Sequence, residues 1–382
     1  MRLKDCHNTT DFRRLAKQRL PGPLFHYIDG AADDEVTYER NTRAYEECDL
    51  VPRVLAGVEE VDLSVTVMGK RLSLPMFCSP TALQRLFHYD GERAVGRAAA
   101  QFNTFFGLSS LGTVSIEEIA ETIEAPKLFQ LYYHKDKGLT ENMIDRCRDA
   151  GFDAMALTVD TIVGGNRERD LRTGFTSPPR LTLGSAVSFA AHPYWTLNYL
   201  LREKFSLPML DSHVEEGTNV ATSVAGYFSS MLDQSMDWAA AEWVAQKWGG
   251  TFCLKGVMSV EDARRAIDIG ASAIMVSNHG GRQLDGGRAP FDQIKEISDA
   301  VGGEIDIICD GGIRRGTHVL KALSAGATCC SGGRWYLYAL AAAGQAGVEL
   351  ALTKMAEELT RDMKLVGARR IEDLSRNNLR YR

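Results

Sequence analysis

Eight times along this chain a short apolar run ends on polar or glycine residues and gives way to an amphipathic stretch, and few folds accept that pattern. The runs cover 76–81, 105–110, 128–132, 154–160, 251–255, 273–277, 305–310 and 327–331. They are too short and too uniformly apolar for amphipathic helices, and they read as strands buried on both faces of a parallel sheet. Between them, 91–102, 115–124, 140–150 and 260–270 repeat apolar residues at helical spacing. Eight strand–helix alternations imply an α/β fold of the (β/α)8 TIM-barrel class. The length, 382 residues, suits one such domain over 1–382 with additions. We therefore expect an N-terminal extension over 1–74 with helices at 11–17 and 24–29, a barrel over 75–350 and C-terminal helices over 351–382. Only the interval between Asp160 and Thr251 breaks the spacing, so 169–236 is expected as an insertion after the fourth strand, over the barrel mouth.

In such a barrel all strand ends face one way, which gathers Thr81, Ser109, Gln130, Tyr132, Thr158, Asp160, Lys255, Ser277 and His279 at one mouth. Helix capping accounts for Ser109 or Thr158 singly, but not for Gln130, Lys255 and His279 together. The sixth strand end, Ser277-Asn278-His279-Gly280-Gly281-Arg282-Gln283-Leu284-Asp285-Gly286, sets an acid/base side chain and a cation three residues apart among glycines. Taken alone it is either a solvated turn whose histidine caps a helix or a catalytic loop. After the seventh strand comes Asp310-Gly311-Gly312-Ile313-Arg314-Arg315-Gly316, and after the eighth Ser331-Gly332-Gly333-Arg334. Glycine amides at helix starts beside arginines make an anion site, and in barrels of this class those two loops commonly hold a phosphate. Plain turn glycines with surface arginines are the alternative. No Walker loop occurs and no GxGxxG follows the first strand, so a phosphorylated cofactor lying across the mouth fits better than ATP or a Rossmann-bound dinucleotide.

Charge narrows the function further. The net charge is −6 with both signs interspersed, so the electrostatic footprint of nucleic-acid binding is missing. The eight cysteines form no CxxC pair, and Cys78, Cys253, Cys309 and Cys329 fall in apolar runs, as buried reduced thiols do; no metal-binding spacing is visible. The first residues lack the apolar core of a signal peptide, so a cytoplasmic protein is expected. The stretch 181–204 carries Phe189, Tyr194, Trp195, Tyr199, Leu200 and Leu201 with no formal charge before Arg202, yet polar residues interrupt it too often for a membrane span. Two readings stand: an amphipathic segment touching a bilayer interface, or an excursion packed on the protein itself or a neighbouring subunit.

Together, Pro80-Thr81-Ala82, Leu108-Ser109-Ser110, Phe129-Gln130-Leu131-Tyr132, Leu157-Thr158-Val159-Asp160, Leu254-Lys255-Gly256, the decapeptide and Asp310-Gly311-Gly312-Ile313-Arg314 resemble, in order, the FMN-dependent L-2-hydroxy acid dehydrogenase and oxidase family. The resemblance runs from Phe25-His26-Tyr27-Ile28-Asp29-Gly30 to Gln345-Ala346-Gly347. It implies FMN as cofactor, with its ring beside Pro80, Thr81, Ala82, Ser109, Gln130 and Thr158, its phosphate on Gly312, Arg314, Gly333 and Arg334, and Lys255, Ser277, Asp310 and Gly311 as further cofactor-binding residues. It implies His279 as general base with Asp160 as its partner, Arg167 and Arg282 as the substrate carboxylate's cations, and Tyr132 and Tyr27 as hydroxyl donors. A tyrosine next to His26 in an N-terminal helix is equally at home in a core. Leu111 stands where some family members carry tryptophan, and Ala82 where mandelate enzymes tend to have glycine, a pair that favours a small substrate such as L-lactate. With no cytochrome segment ahead of Met1, the expected acceptors are a quinone, an electron-transfer protein or oxygen, the last giving hydrogen peroxide. The insertion resembles the membrane-touching loop of some members, which implies peripheral contact with the inner face of the cell membrane; a homotetramer is implied as well. The remote alternative is a non-redox FMN barrel such as an isomerase.

Overall fold

Buried on both faces, eight parallel strands have no edge to leave open, and in this computed structural model they close on themselves. The described residues are 1–175, 183–204, 206–210 and 230–382; residues 181 and 182 of the expected surface segment and much of the 169–236 insertion lie outside them. The chain opens with helices α1 (Thr9–Arg19), α2 (Gly22–Asp29) and α3 (Val36–Glu46), strand β1 (Cys48–Leu50) and a hairpin of β2 (Val65–Val67) and β3 (Lys70–Leu72). The barrel begins with β4 (Met76–Thr81), α4 (Gly91–Gln101), β5 (Phe106–Ser109), α5 (Ile116–Thr122), β6 (Lys127–Leu131), α6 (Lys137–Asp149) and β7 (Ala154–Thr158). Helices α7 (Glu168–Thr173), α8 (Leu183–Ala190) and α9 (Pro193–Leu201) follow in the insertion. The barrel resumes with α10 (Trp238–Trp248), β8 (Thr251–Lys255), α11 (Val260–Asp268), β9 (Ala273–Ser277), α12 (Pro290–Val301), β10 (Asp306–Asp310), α13 (Gly316–Ala325) and β11 (Cys329–Gly332). Helix α14 (Arg334–Val366) and strand β12 (Leu379–Tyr381) end the chain.

Strands β4 to β11 pair in parallel in sequence order, and β11 returns to β4 through Cys330 and Met76. Alternate side chains turn inward, so Phe77, Leu128, Ala154, Cys253, Met275 and Ile308 share a core inside the barrel, while Met76, Phe106, Phe129 and Leu254 pack outward under the helices. The β2–β3 hairpin plugs one end. Its Val67, Met68 and Leu72 join the inner core, and the Met68 amide donates to Asp306 Oδ2 at 2.6 Å. Chemistry is left to the opposite end, where the strands' C-termini lie.

Helix starts follow local capping. Ser115, Asp136, Asp237 and Ser259 each accept a main-chain N–H of the following helix, so Ser115 precedes α5 rather than belonging to it. The first helix is longer than expected because Asn8 caps it, and the second begins at Gly22, with Pro23 in its first turn. The C-terminal stretch departs from an all-helical reading. Helix α14 crosses position 350, breaks at Ala343–Gly344 and stops at Gly367 in the left-handed conformation; β12 then pairs antiparallel with β1, tying the C-terminus to the N-terminal extension.

The insertion's helices lie against the barrel rim. Trp195 Nε1 donates to the Leu86 carbonyl at 2.7 Å, and the Gly22 amide donates to Ser188 Oγ at 2.8 Å. Outward, Tyr194, Leu197, Leu200 (68% exposed) and Leu201 (79% exposed) leave α9 with an apolar face in solvent. No described helix is long and apolar enough to cross a membrane.

Leu72 is fully buried where the hairpin meets the barrel floor. Leu72→Ala is expected to cost about 2–5 kcal/mol, read as a lower urea midpoint with an unchanged m-value; an unaltered midpoint would mean that the plug does not support the barrel.

Candidate active site

At the open end the inward residues turn polar, and their arrangement centres on Asp310, the last residue of β10. Its Oδ1 accepts hydrogen bonds from Ser79 Oγ at 2.5 Å and Ser331 Oγ at 2.9 Å, and its Oδ2 accepts from Ser277 Oγ at 2.7 Å. Lys255 Nζ lies 3.5 Å from the same Oδ2 and donates to Ser277 Oγ at 3.4 Å. Burial pushes the Asp310 carboxyl up, but the Lys255 ammonium and the three hydroxyls hold it below the ordinary carboxylate range. A buried, ionised Asp310 thus fixes a buried cation beside it.

Above this network opens a cavity of about 1030 Å³, including its solvent mouth. Of the residues singled out in sequence, Tyr27, Pro80, Thr81, Ala82, Ser109, Gln130, Tyr132, Thr158, Arg167, Lys255, His279, Arg282, Asp310, Gly311, Gly312, Arg314, Gly333 and Arg334 line it. Asp160 and Ser277 do not. They stand behind His279 and Lys255 as their partners.

His279 follows β9 in a left-handed conformation, φ 56°, continued by Gly280 and Gly281 at 65° and 74°. Glycine is required at 281, where a Cβ would fall 2.7 Å from the Tyr38 amide nitrogen of α3. Three devices hold the turn: the His279 amide donates to Ser277 Oγ at 3.2 Å, Asn278 accepts from the Gly281 amide, and Asn278 exchanges two side-chain hydrogen bonds with Asn41 at 2.7 and 2.8 Å. The imidazole Nδ1 lies 3.0 Å from Asp160 Oδ1 and 3.2 Å from Thr161 Oγ1, and Thr161 donates to the same Oδ1 at 2.9 Å. Nε2 is therefore the ring nitrogen left to the cavity. Burial lowers the His279 pKa below the ordinary 6.5, with Asp160 opposing and Lys255 assisting. Burial works to raise Asp160 too, but His279 and Lys255 hold it below the usual carboxylate range.

Two half-buried arginines, Arg167 and Arg282, line the cavity with His279. Arg282 Nη1 donates to the Tyr27 and Gly30 carbonyls at 2.6 and 3.0 Å, with its guanidinium 4.8 Å over the Tyr27 ring. Burial, then the nearby Arg167, push Arg282 down to about 10. Asp170 is buried beside both, and burial holds its carboxyl above the ordinary range. Burial, and after it Asp160, also raise the Tyr132 phenol.

At the far end Gly311 and Gly312 have φ of 139° and 72°, and a Cβ on Gly312 would lie 1.9 Å from the Asn41 carbonyl oxygen. Only glycine at 312 lets this loop pack against α3. Arg314 reaches the cavity from the loop after β10, its Nη1 donating to the Ile313 carbonyl at 2.9 Å. Arg334 differs from the simple picture of an anion-binding arginine: its guanidinium donates to the Ile28, Gly280 and Gly30 carbonyls at 2.9, 2.8 and 2.7 Å. What Gly333 and Arg334 offer an anion is main chain at the start of α14, where the first N–H groups lack helical partners.

Several residues that complete the site carry no sequence signal of their own. Ser79 and Ser331 are ordinary strand residues until Asp310 is placed between them, and Phe87 and Leu337 look like core yet line the cavity. Thr161 had a weak signal, a hydroxyl adjacent to an acid at a strand end.

The sequence profile described as FMN-dependent dehydrogenase matches residues 16–381. The chain belongs to the FMN-dependent dehydrogenase family. A relative named L-lactate dehydrogenase, from Xanthobacter autotrophicus, is 40% identical over 373 residues, covering 97% of this chain and 96% of its own. One named L-lactate oxidase, from Nostoc sp., is 39% identical over 371 residues, covering 96% of each chain. A solved structure titled as the monotopic membrane protein (S)-mandelate dehydrogenase superposes with a TM-score of 0.94 at 32% identity, over 99% of this chain and 100% of that one. As a family member the protein is an FMN-dependent 2-hydroxy acid dehydrogenase or oxidase, an oxidoreductase acting on CH–OH donors. The cavity fits the cofactor. Gln130 Nε2 and Thr158 Oγ1 are buried on its wall with no hydrogen-bond partner among the described residues, while Gln130 Oε1 is satisfied by Ser109 Oγ at 2.8 Å. A polar heterocycle placed there supplies what those two atoms lack.

A base must be neutral to accept a proton. With His279 in the role of base that the resemblance implies, the burial that lowers its pKa puts the acid limb of kcat/KM below pH 6.5 as the expected outcome. Asp160→Asn removes the opposing carboxylate, so the limb should move lower still as the maximal rate falls. A wild-type limb at or above 6.5 in a pH profile would contradict the assignment.

Proposed function

We propose that this protein oxidises a small L-2-hydroxy acid, L-lactate above all, to the 2-oxo acid. The observation that carries the reading is one cavity that His279, paired with Asp160, shares with the half-buried Arg167 and Arg282 and with Tyr27 and Tyr132. Planar guanidinium forks suit a carboxylate, and two of them in a water-poor site orient it firmly. Tyr27 and Tyr132 add hydroxyls to the carboxylate or the 2-oxygen. His279 Nε2 takes the proton that the substrate gives up, while Asp160 keeps Nδ1 as donor and stabilises the imidazolium. FMN, when bound, supplies the two-electron acceptor. Pro80, Thr81, Ala82, Ser109, Gln130 and Thr158 would hold its ring, and Gly311, Gly312, Arg314, Gly333 and Arg334 its phosphate end. Lys255, anchored by Asp310 and Ser277, provides a preorganised positive charge beside the ring.

The relatives named for L-lactate, and a cavity bordered by Ala82, Phe87 and Leu111, support a small substrate. For the acceptor we favour a quinone at a membrane surface: the exposed apolar face of α9 and the likeness to a monotopic membrane protein support peripheral contact through 181–204, at the inner face of the cell membrane. A homotetramer belongs to the same reading. A second reading, an oxidase that passes electrons to oxygen, is supported by the relative named L-lactate oxidase. Anaerobic reduction with lactate, glycolate and mandelate, followed by reoxidation with a quinone analogue or with oxygen, distinguishes them. Peroxide formed as fast as substrate is consumed would establish the oxidase, and no bleaching by any L-2-hydroxy acid would end the redox reading.

His279→Gln is expected to retain FMN but to lose roughly 10²–10⁴-fold in the rate of flavin reduction, as removal of a general base does; near-normal reduction in stopped flow would remove His279 from that role. Arg282→Lys replaces a fork by a point charge, so KM should rise more than kcat falls, and an unchanged KM would count against the clamp.

A further inference from the structure

We propose that Phe87 sets the size limit on the group carried at C2 of the substrate, and that the insertion holds Phe87 in place through Trp195. The proposal deepens the functional reading above and rests on it. Phe87 is only 2% exposed, yet it lines the cavity together with Ala82 and Leu111. Its ring stacks on that of Tyr27, with centroids 6.1 Å apart and planes at 24°; Phe175 packs against Tyr27 at 4.7 Å and the Arg282 guanidinium covers it at 4.8 Å. Phe87 thus stands one ring away from a cation assigned to the carboxylate. With the carboxylate held by the arginines and the reacting hydrogen turned toward His279, the remaining substituent is left to the apolar side chains of the lining, and Phe87 is bulkier than Ala82, Leu111 or Leu337. Truncation of Phe87 to alanine removes a phenyl group, which is the group that mandelate carries where lactate has a methyl.

The ring is not free to swing aside. Phe87 closes a 3-10 turn, its amide donating to the Gln84 carbonyl at 3.0 Å, and the turn is clamped from the insertion. Trp195 Nε1 donates to the Leu86 carbonyl at 2.7 Å, and Arg85 Nη2 donates to the Glu203 carbonyl at 2.9 Å. Gln84 is pinned from the other side, its amide donating to the buried Glu92 carboxylate at 3.3 Å. The residue before and the second residue before Phe87 are therefore both bonded to the insertion, which makes the insertion part of the specificity apparatus as well as an outer surface.

The test is stopped-flow anaerobic flavin reduction by L-lactate and L-mandelate in wild type, Phe87→Ala, Phe87→Leu and Trp195→Phe, all flavin-loaded. Phe87→Ala should raise the mandelate-to-lactate ratio of kcat/KM by at least about tenfold, chiefly through the mandelate KM, in the range that a change of pocket size produces. Phe87→Leu should fall between, and it serves if the alanine variant does not hold flavin. Trp195→Phe, which keeps an aromatic ring but loses the N–H, should shift the ratio the same way by less, a change that a purely structural role for Trp195 would not bring. Wild type that is reduced, with ratios unchanged in both Phe87 variants, overturns the proposal alone. Wild type reduced by neither acid removes the substrate reading and the proposal together.

Discussion

A single buried carboxylate, Asp310, organises the working end of this barrel. Burying a charge is costly unless it is paired and fully hydrogen-bonded, and Asp310 meets that demand with side chains from four other strands: Ser79 on β4, Lys255 on β8, Ser277 on β9 and Ser331 on β11. The consequence reaches past the network. Ser277 donates to Asp310, accepts from Lys255, and also accepts from the His279 main-chain amide, so the carboxylate that fixes the cation near the cofactor also fixes the start of the loop bearing the base. Removal of one partner would leave the others as uncompensated buried polar groups.

The N-terminal extension completes the site by a related device. A helix C-terminus carries unsatisfied carbonyls and partial negative charge, and at the end of α2 the Tyr27, Ile28 and Gly30 carbonyls accept from Arg282, in the loop after β9, and Arg334, at the start of α14. Asp29 in the same turn is held down to about 2: burial works against this, but hydrogen bonds from Arg13 and Tyr338 and the charges around it prevail, and Arg169 at the start of the insertion adds a further bond. One helical turn thus joins α1, α14, the insertion and both sides of the cavity. It gives the structure ahead of the first barrel strand a part in building the cavity wall.

Much of the site was legible because a parallel barrel puts every strand C-terminus on one face. Gln130, Thr158, Lys255 and His279 needed only that rule to be gathered, and Gly312 is glycine for a reason a local reading can anticipate. Asp160 and Ser277 were legible as strand-end residues but not as residues that stand behind the cavity. Ser79 and Phe87 were not legible as functional at all, and Thr161 and Ser331 only faintly so. Each acquires its role from a partner far away in sequence, such as Ser79 from Asp310 and Phe87 from Tyr27 and Trp195, and no local pattern encodes such a pairing. The C-terminal strand was missed for the same reason: β12 exists because β1 lies beside it.

The order of apolar runs determined the fold class, since eight strand–helix alternations with strands buried on both faces suit a closed parallel barrel, and the motif residues at their ends determined the chemistry gathered there. Tertiary structure decided which way that chemistry is aimed. It turned the Arg334 guanidinium onto helix carbonyls, left His279 Nε2 to the cavity by committing Nδ1 to Asp160, and brought Phe87 against Tyr27. Those outcomes depend on competition among partners in three dimensions, where burial makes every polar group seek a bond and every ring seek a neighbour, and they arise only once the whole chain is packed.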